Sequence, residues 1–218
     1  ALSCIPDIVV SDVMMPIMNG ITMCKMLKED VRTSHIPIIL LTAKDSLQDK
    51  EEGYQVGADS YLTKPFSATL LHSRINNLLE SRKRLAERLN TNTPHHNMDE
   101  KRALLADSLN KLDNEFLEKI NRLIEDRLSS EKIDIGYLAD NMCMSKSTLY
   151  RKMKALTGLS TNEYVRKIKM QYAERLLLEG RYNVSEIAFR VGINSVVYFR
   201  QCFKEEFGVL PSDYLKQP

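Results

Sequence analysis

Three stretches in the first third of the chain each end on a residue able to handle a phosphoryl group. Residues 5–11, IPDIVVS, lead into Asp12; residues 36–41, IPIILL, lead into Thr42; residues 60–63, SYLT, lead into Lys64. The first two are apolar and rich in β-branched residues, as strands buried on both faces are. Open α/β sheets place their sites at the carboxyl ends of such strands. An acid, a hydroxyl and an ammonium on one rim suit a phosphorylated carboxylate. Asp12 would accept the phosphoryl group, and Thr42 and Lys64 would bind its oxygens by charge-assisted hydrogen bonds. Taken singly, the three read better as a capping Asp, a strand Thr and a surface Lys. Their recurrence at strand ends is what favours a site.

A second chemistry sits near the other end. Residues 135–158, IGYLADNMCMSKSTLYRKMKALTG, predict a short amphipathic helix ending near Asn141, a tight turn, and a helix N-capped by Ser145. That second helix carries Lys146, Arg151, Lys152 and Lys154. Helix, turn and basic helix is the shape of a DNA reader, although most helical hairpins merely pack. The stretch 184–208, VSEIAFRVGINSVVYFRQCFKEEFG, repeats it. Ala139 matches Ala188 and Cys143 matches Gly192; past the turn Ser145 matches Ser195, Leu149 Phe199, Met153 Phe203 and Lys154 Lys204, so the second turn is one residue longer. Leu149, Met153 and Leu156, like Phe199, Phe203 and Phe207, fall at helical spacing and face a core, which leaves the other faces for DNA. A solenoid needs at least about three repeats, so two readers on one chain is the better account.

The elements that position these residues follow from local pattern. Helices are expected over 21–29, over 47–55 up to Gly57, and from Ser67 into the eighties, alternating with the strands as in α/β folds. Residues 82–89, RKRLAERL, extend the last helix, and residues 90–98, NTNTPHHNM, read as exposed linker. His95 and His96, adjacent and without further ligands, fit solvated linker better than a metal site. Asp113 is the expected N-cap of a helix whose Phe116, Leu117, Ile120, Ile124 and Leu128 share one face. Ser160 to Glu163 has the capping-box pattern, opening a long helix with Val165, Ile168, Tyr172 and Leu176 on its stripe and an end at Gly180.

Composition sets the frame. The 218 residues are enough for one or two domains, and 43% apolar content supports real cores. The net charge of +2 is uneven: residues 131–218 hold 14 Lys and Arg against 10 Asp and Glu, whereas residues 1–130 hold 17 against 19. A basic C-terminal part fits a nucleic-acid footprint at one end, and ordinary charge scatter would give the same small excess. Cys4, Cys24, Cys143 and Cys202 show no metal-type spacing, so a reducing cytoplasm is the default. No apolar run approaches the roughly 18–20 residues of a membrane span, and no signal-peptide pattern is present, so no membrane contact is expected of this segment. The chain starts at Ala1 without Met, as a piece cut from something longer does.

Two families are recognisable in these residues. DVMMPIMNG, LLTA and SYLTKPF resemble the receiver domain of two-component response regulators over about Pro6 to Glu80. The paired motifs, closed by FKEEFGVLPSDYL, resemble the bipartite DNA-binding domain of AraC-type activators over about Asp113 to Gln217. The order is similar to the C-terminal end of hybrid two-component regulators. The receiver resemblance implies Asp12 as phosphoacceptor, Thr42 and Tyr61 as switch residues, Lys64 as phosphate-binding lysine, a cis Lys64–Pro65 bond, and Mg²⁺ held with the help of the Met14 backbone carbonyl. The family's first strand and its metal-binding acidic pair have no counterpart in the eleven residues before Asp12. An incomplete Mg²⁺ site with no cofactor bound in this fragment is therefore expected, and with it poor phosphorylation. The AraC-type resemblance implies Ser147, Tyr150 and Arg151 as base-facing residues of the first reader and Val197, Arg200 and Gln201 as those of the second. Lys154 and Lys204 are better placed for phosphates. Cys143 departs from the glycine usual in that turn, which implies a turn that is slightly strained or differently shaped.

The expected architecture is a partial α/β receiver, a doubly wound parallel sheet lacking its first strands, over 1–80, and a helical and polar linker over 81–112. An all-α domain with two helix-turn-helix motifs, about 135–158 and 184–208, follows over 113–218. The expected function is a sequence-specific DNA-binding transcription regulator of a two-component phosphorelay, itself a non-enzyme, although a hybrid parent would carry histidine kinase activity. The expected partners are double-stranded DNA, a histidine kinase as phosphodonor, a homodimer mate, and RNA polymerase if the protein activates. A phosphorelay or protein-docking module without base readout is the alternative.

Overall fold

The computed structural model describes residues 5–43, 56–90, 109–128 and 133–214. They group into two compact units, one comprising 5–43, 56–90, 109–116 and 151–158, the other 117–128, 133–150 and 159–214. The expected helix over 47–55, most of the linker with His95 and His96, and Cys4 lie outside the described residues.

The first unit is built on three parallel strands in the order β1 (Val9–Asp12), β2 (Ile38–Thr42), β3 (Ser60–Thr63). In register, Asp12 lies opposite Leu41 and Thr42 opposite Thr63, which aligns the strand ends. β2 is central and its Ile38, Ile39 and Leu40 are fully buried, as its unbroken apolar run demands. β1 pairs only with β2 among the described residues, and Val10 on it is 38% exposed. Helix α1 (Gly20–Glu29) packs Ile21 and Cys24 against Val13, Ile38, Leu40 and Ala58. Asn19 caps α1, its side chain accepting from Thr22 N–H at 2.7 Å. Gly20 is required by space: a Cβ there would stand 2.2 Å from the Asp12 carbonyl oxygen. Asp59 ties the unit together. One of its carboxylate oxygens accepts from Ile38 N–H at 2.9 Å and from Lys28 Nζ at 2.6 Å, and the other lies 3.5 Å from Arg82 on the long helix α2 (Ala68–Asn90).

Helix α3 (Lys111–Glu125) starts three residues earlier than the capping expectation. Asn110 takes the capping role, its side-chain oxygen accepting from Asp113 N–H at 2.8 Å, and Asp113 lies inside the first turn, fully buried. The other helices are α4 (Ile135–Asn141), α5 (Lys146–Thr157), α6 (Thr161–Leu178), α7 (Val184–Arg190), α8 (Val196–Phe207) and the short α9 (Pro211–Tyr214).

In the second unit, Met170, Ala173, Leu176 and Leu177 of α6 form one core with Ile187, Ala188 and Val191 of α7 and Phe199, Cys202 and Phe203 of α8. Phe203 also meets Phe207 at 4.5 Å and the edge of Tyr214 at 5.5 Å. Capping boxes open α6 (Ser160 with Glu163) and α7 (Asn183 with Glu186), and Gly208 ends α8 at φ 79°. The turn between α4 and α5 has Cys143 at φ 53°, and the turn between α7 and α8 has Gly192 at φ 65°. Both turns thus need the left-handed region, which costs cysteine roughly 1–2 kcal/mol and glycine little.

Candidate phosphoacceptor site and nucleic-acid interface

Asp12 and Lys64 meet at the ends of β1 and β3. Lys64 Nζ donates to Asp12 Oδ2, and Met14 N–H donates to Asp12 Oδ1 at 3.1 Å. The carboxylate is one-third exposed, open to an incoming donor. The Lys64 ammonium, and after it the Met14 N–H, hold its pKa below the usual carboxylate range, so it is ionised and nucleophilic at neutral pH. Thr42 ends β2 on the same rim, but it is 1% exposed and its hydroxyl donates to the Ala43 carbonyl at 3.2 Å. Tyr61, on β3 opposite Leu40, packs against the α1 core. The Lys64–Pro65 bond is cis, as the resemblance implied. Among the described residues no group of three or more His, Cys, Asp or Glu could hold a metal ion. Asp12 and the Met14 carbonyl are the oxygens that the resemblance assigns to Mg²⁺, and among the described residues no acidic cluster joins them to complete a site.

On the first hairpin, Ser145 Oγ accepts from Thr148 N–H at 3.1 Å and opens α5 as expected. Ser147, Tyr150, Arg151 and Lys154 are all exposed on α5. Lys152 is not part of that basic surface. It is fully buried and paired with Asp113, which corrects both the basic-face reading of Lys152 and the capping reading of Asp113. Burial pulls the Lys152 ammonium below the usual lysine range, and Asp113 opposes that pull. On α8, Val197, Arg200, Gln201 and Lys204 are exposed, Val197 by 77%. Gln201 Nε2 donates to Glu205 at 3.1 Å, so contacting a base edge requires it to leave Glu205. Sequence reasoning passed over Tyr198. It stands half exposed on α8, and its match to Thr148 in the first motif was the available signal. Arg166 of α6 pairs with Glu205 of α8 at 3.7 Å, tying the connecting helix to α8.

Comparison with known proteins covers both ends. The response regulator receiver domain family matches residues 3–76, and a helix-turn-helix domain family matches residues 138–217. The chain is 37% identical over 210 residues to "Histidine kinase P4" of Formosa agariphila, which covers 96% of this chain and 15% of that protein. It is 42% identical over 82 residues to "DNA-binding dual master transcriptional regulator RpaA" of Synechocystis, covering 38% of this chain and 34% of that one. The chain thus spans well under two thirds of the length of these relatives. Among solved structures, the C-terminal domain of AraT, a response regulator from Geobacillus stearothermophilus, is 30% identical and covers 46% of this chain and 84% of its own, with a TM-score of 0.42. The described residues contain no helix long and apolar enough to cross a membrane. The chain thus carries a response regulator receiver domain over residues 3–76 and a helix-turn-helix domain over residues 138–217.

Proposed function

We propose that the chain is the output end of a two-component phosphorelay: a sequence-specific transcription regulator controlled by phosphorylation of Asp12 in the intact receiver. The observation that carries this reading is the joining of a receiver domain to a pair of helix-turn-helix motifs with exposed basic reading helices. In this reading a histidine kinase domain is the phosphodonor, and Lys64 and Thr42 take the phosphoryl oxygens once Thr42 turns from Ala43. Receiver domains generally use Mg²⁺; here Asp12 and the Met14 carbonyl supply part of its ligands. Self-phosphorylation is not turnover of a metabolite, so this segment is not an enzyme. Kinase activity, where a longer parent has it, lies outside these residues. The chain works in the cytoplasm, as a homodimer whose avidity raises DNA affinity, and meets RNA polymerase if it activates.

The two reading helices enter successive major grooves on one DNA face, about 34 Å apart. Ser147, Tyr150 and Arg151 read bases in the first, and Val197, Arg200 and Gln201 in the second. Arg suits guanine, Gln suits adenine, and Val197 packs on a thymine methyl. Lys154 and Lys204 hold phosphates. The test is selection of bound duplexes from a random pool, then salt-dependent affinity on the winner and on a scrambled control. Two half-sites one helical turn apart support both readers. Equal, strongly salt-dependent binding to every duplex would sink base readout and favour a docking module.

A further inference from the structure

The connection between α1 and β2 is anomalous. Loops run over the surface because their backbone groups need partners. Here Thr33, Ser34 and Ile36 are at 0% exposure and His35 at 4%. The cover comes from residues that the first unit takes from the helical part of the chain, 109–116 and 151–158. Ser34 Oγ donates to Asp113 Oδ1 at 2.7 Å and accepts from Lys152 Nζ at 2.9 Å. Lys152 also donates to Asp113, both side chains at 0% exposure. Asn110 Nδ2 closes the group, donating to the Ser34 carbonyl at 3.1 Å and to Asp113 Oδ2 at 2.8 Å. The Phe116 ring lies 4.9 Å from Lys152 Nζ.

The ammonium therefore has a carboxylate, a hydroxyl and a ring face around it. A buried polar group of this kind tolerates one arrangement, because any member left unpaired bears its full desolvation cost. Lys152 directly follows Arg151 on α5, and successive residues of an α-helix are turned by about 100°. The group that holds Lys152 inside, together with the buried Leu149, Met153 and Leu156 of the same helix, consequently sets the roll that keeps Ser147, Tyr150 and Arg151 outside.

We propose that Ser34 is a positioning residue for the first reading helix, and that through it the receiver's α1–β2 connection biases base readout by α5. The inference rests on α5 being a reader. It makes Ser34 a regulatory contact: a shift of the connection withdraws one of three partners from Lys152.

The test uses the whole chain and two duplexes, one with both selected half-sites and one with the first half-site scrambled. Ser34→Ala removes one hydroxyl. It is expected to lower affinity about 3- to 10-fold on the complete site, the scale of one ordinary net hydrogen bond, and by less than about 2-fold on the scrambled one. In a Lys152→Met background, Ser34→Ala has no further effect. Amide exchange should rise in α5 and not in α8. Equal losses on both duplexes, no loss, or additive losses in the double variant would overturn the proposal. Arg151→Ala run alongside separates the two failures. If it weakens the complete site and Ser34→Ala does not, only the coupling is wrong. If neither affects the complete site, the reading of α5 falls as well.

Discussion

His35 and Cys143 each occupy a position that suits their chemistry poorly, and each yields a measurable consequence. His35 is 4% exposed, and burial, reinforced by the nearby Lys152 ammonium, pushes its pKa down to about 3, with Asp113 opposing. Among the described residues its Nδ1 has no hydrogen-bond partner. At neutral pH it is folded in as the uncharged ring. The unfolded chain, with a histidine pKa near 6.5, binds the proton first as pH falls. Stability is therefore full above about pH 6.5 and declines toward pH 3, approaching about 1.4 kcal/mol per pH unit within that window. His35→Leu should flatten the decline between about pH 6 and 4, above the range where most carboxylates titrate. Urea unfolding at a series of pH values measures it, and an unchanged slope would mean the imidazole is not held neutral by burial. Cys143 holds φ 53° where the second motif has glycine. Cys143→Gly should raise stability by about 0.5–1 kcal/mol, the strain relieved less the chain entropy that glycine adds. A melting temperature equal to or below that of the parent would show the turn to be unstrained.

At the scale of the element, the two reading helices are built alike but differ in grip. α5 presents Tyr150, Arg151 and Lys154, whereas α8 presents Val197, Tyr198, Arg200 and Lys204 with Gln201 engaged by Glu205. Arg151→Ala should cost about 1–3 kcal/mol on the selected site and relax base choice at the position it reads. Lys204→Ala should weaken all sequences alike and make the salt slope shallower by about one counterion. Titrations on matched and scrambled duplexes at several salt concentrations separate the two effects. A uniform loss for Arg151→Ala would reassign it to the phosphates.

At the scale of the whole molecule, the receiver's chemistry is limited by its oxygen ligands. Asp12 is one-third exposed and held by Lys64, and the described residues bring no group of three acidic or metal-ligating side chains to it. Acetyl phosphate with Mg²⁺, followed by intact mass, should therefore label these 218 residues far below one phosphoryl per chain, and Asp12→Asn should abolish what label there is. Stoichiometric labelling at Asp12 would show that the residues present complete the site.

How much was legible in the sequence depended on how far apart the partners lie. Strand runs ending at Asp12 and Thr42, the capping box of Ser160 and Glu163, the duplicated hairpin and the left-handed turn at Cys143 are set by neighbours within a few residues, so period, propensity and spacing determined them. The fate of Lys152 and Asp113 could not be read that way. Helical spacing places Lys152 beside the basic face, and Asp113 resembles a helix cap. Leu149, Met153 and Leu156 marked the inward side of α5, but that Lys152 joins them there was decided by an acid 39 residues away and a serine 118 residues away. Burial of a charge depends on the partners that meet it in space, and only the tertiary structure brings them together.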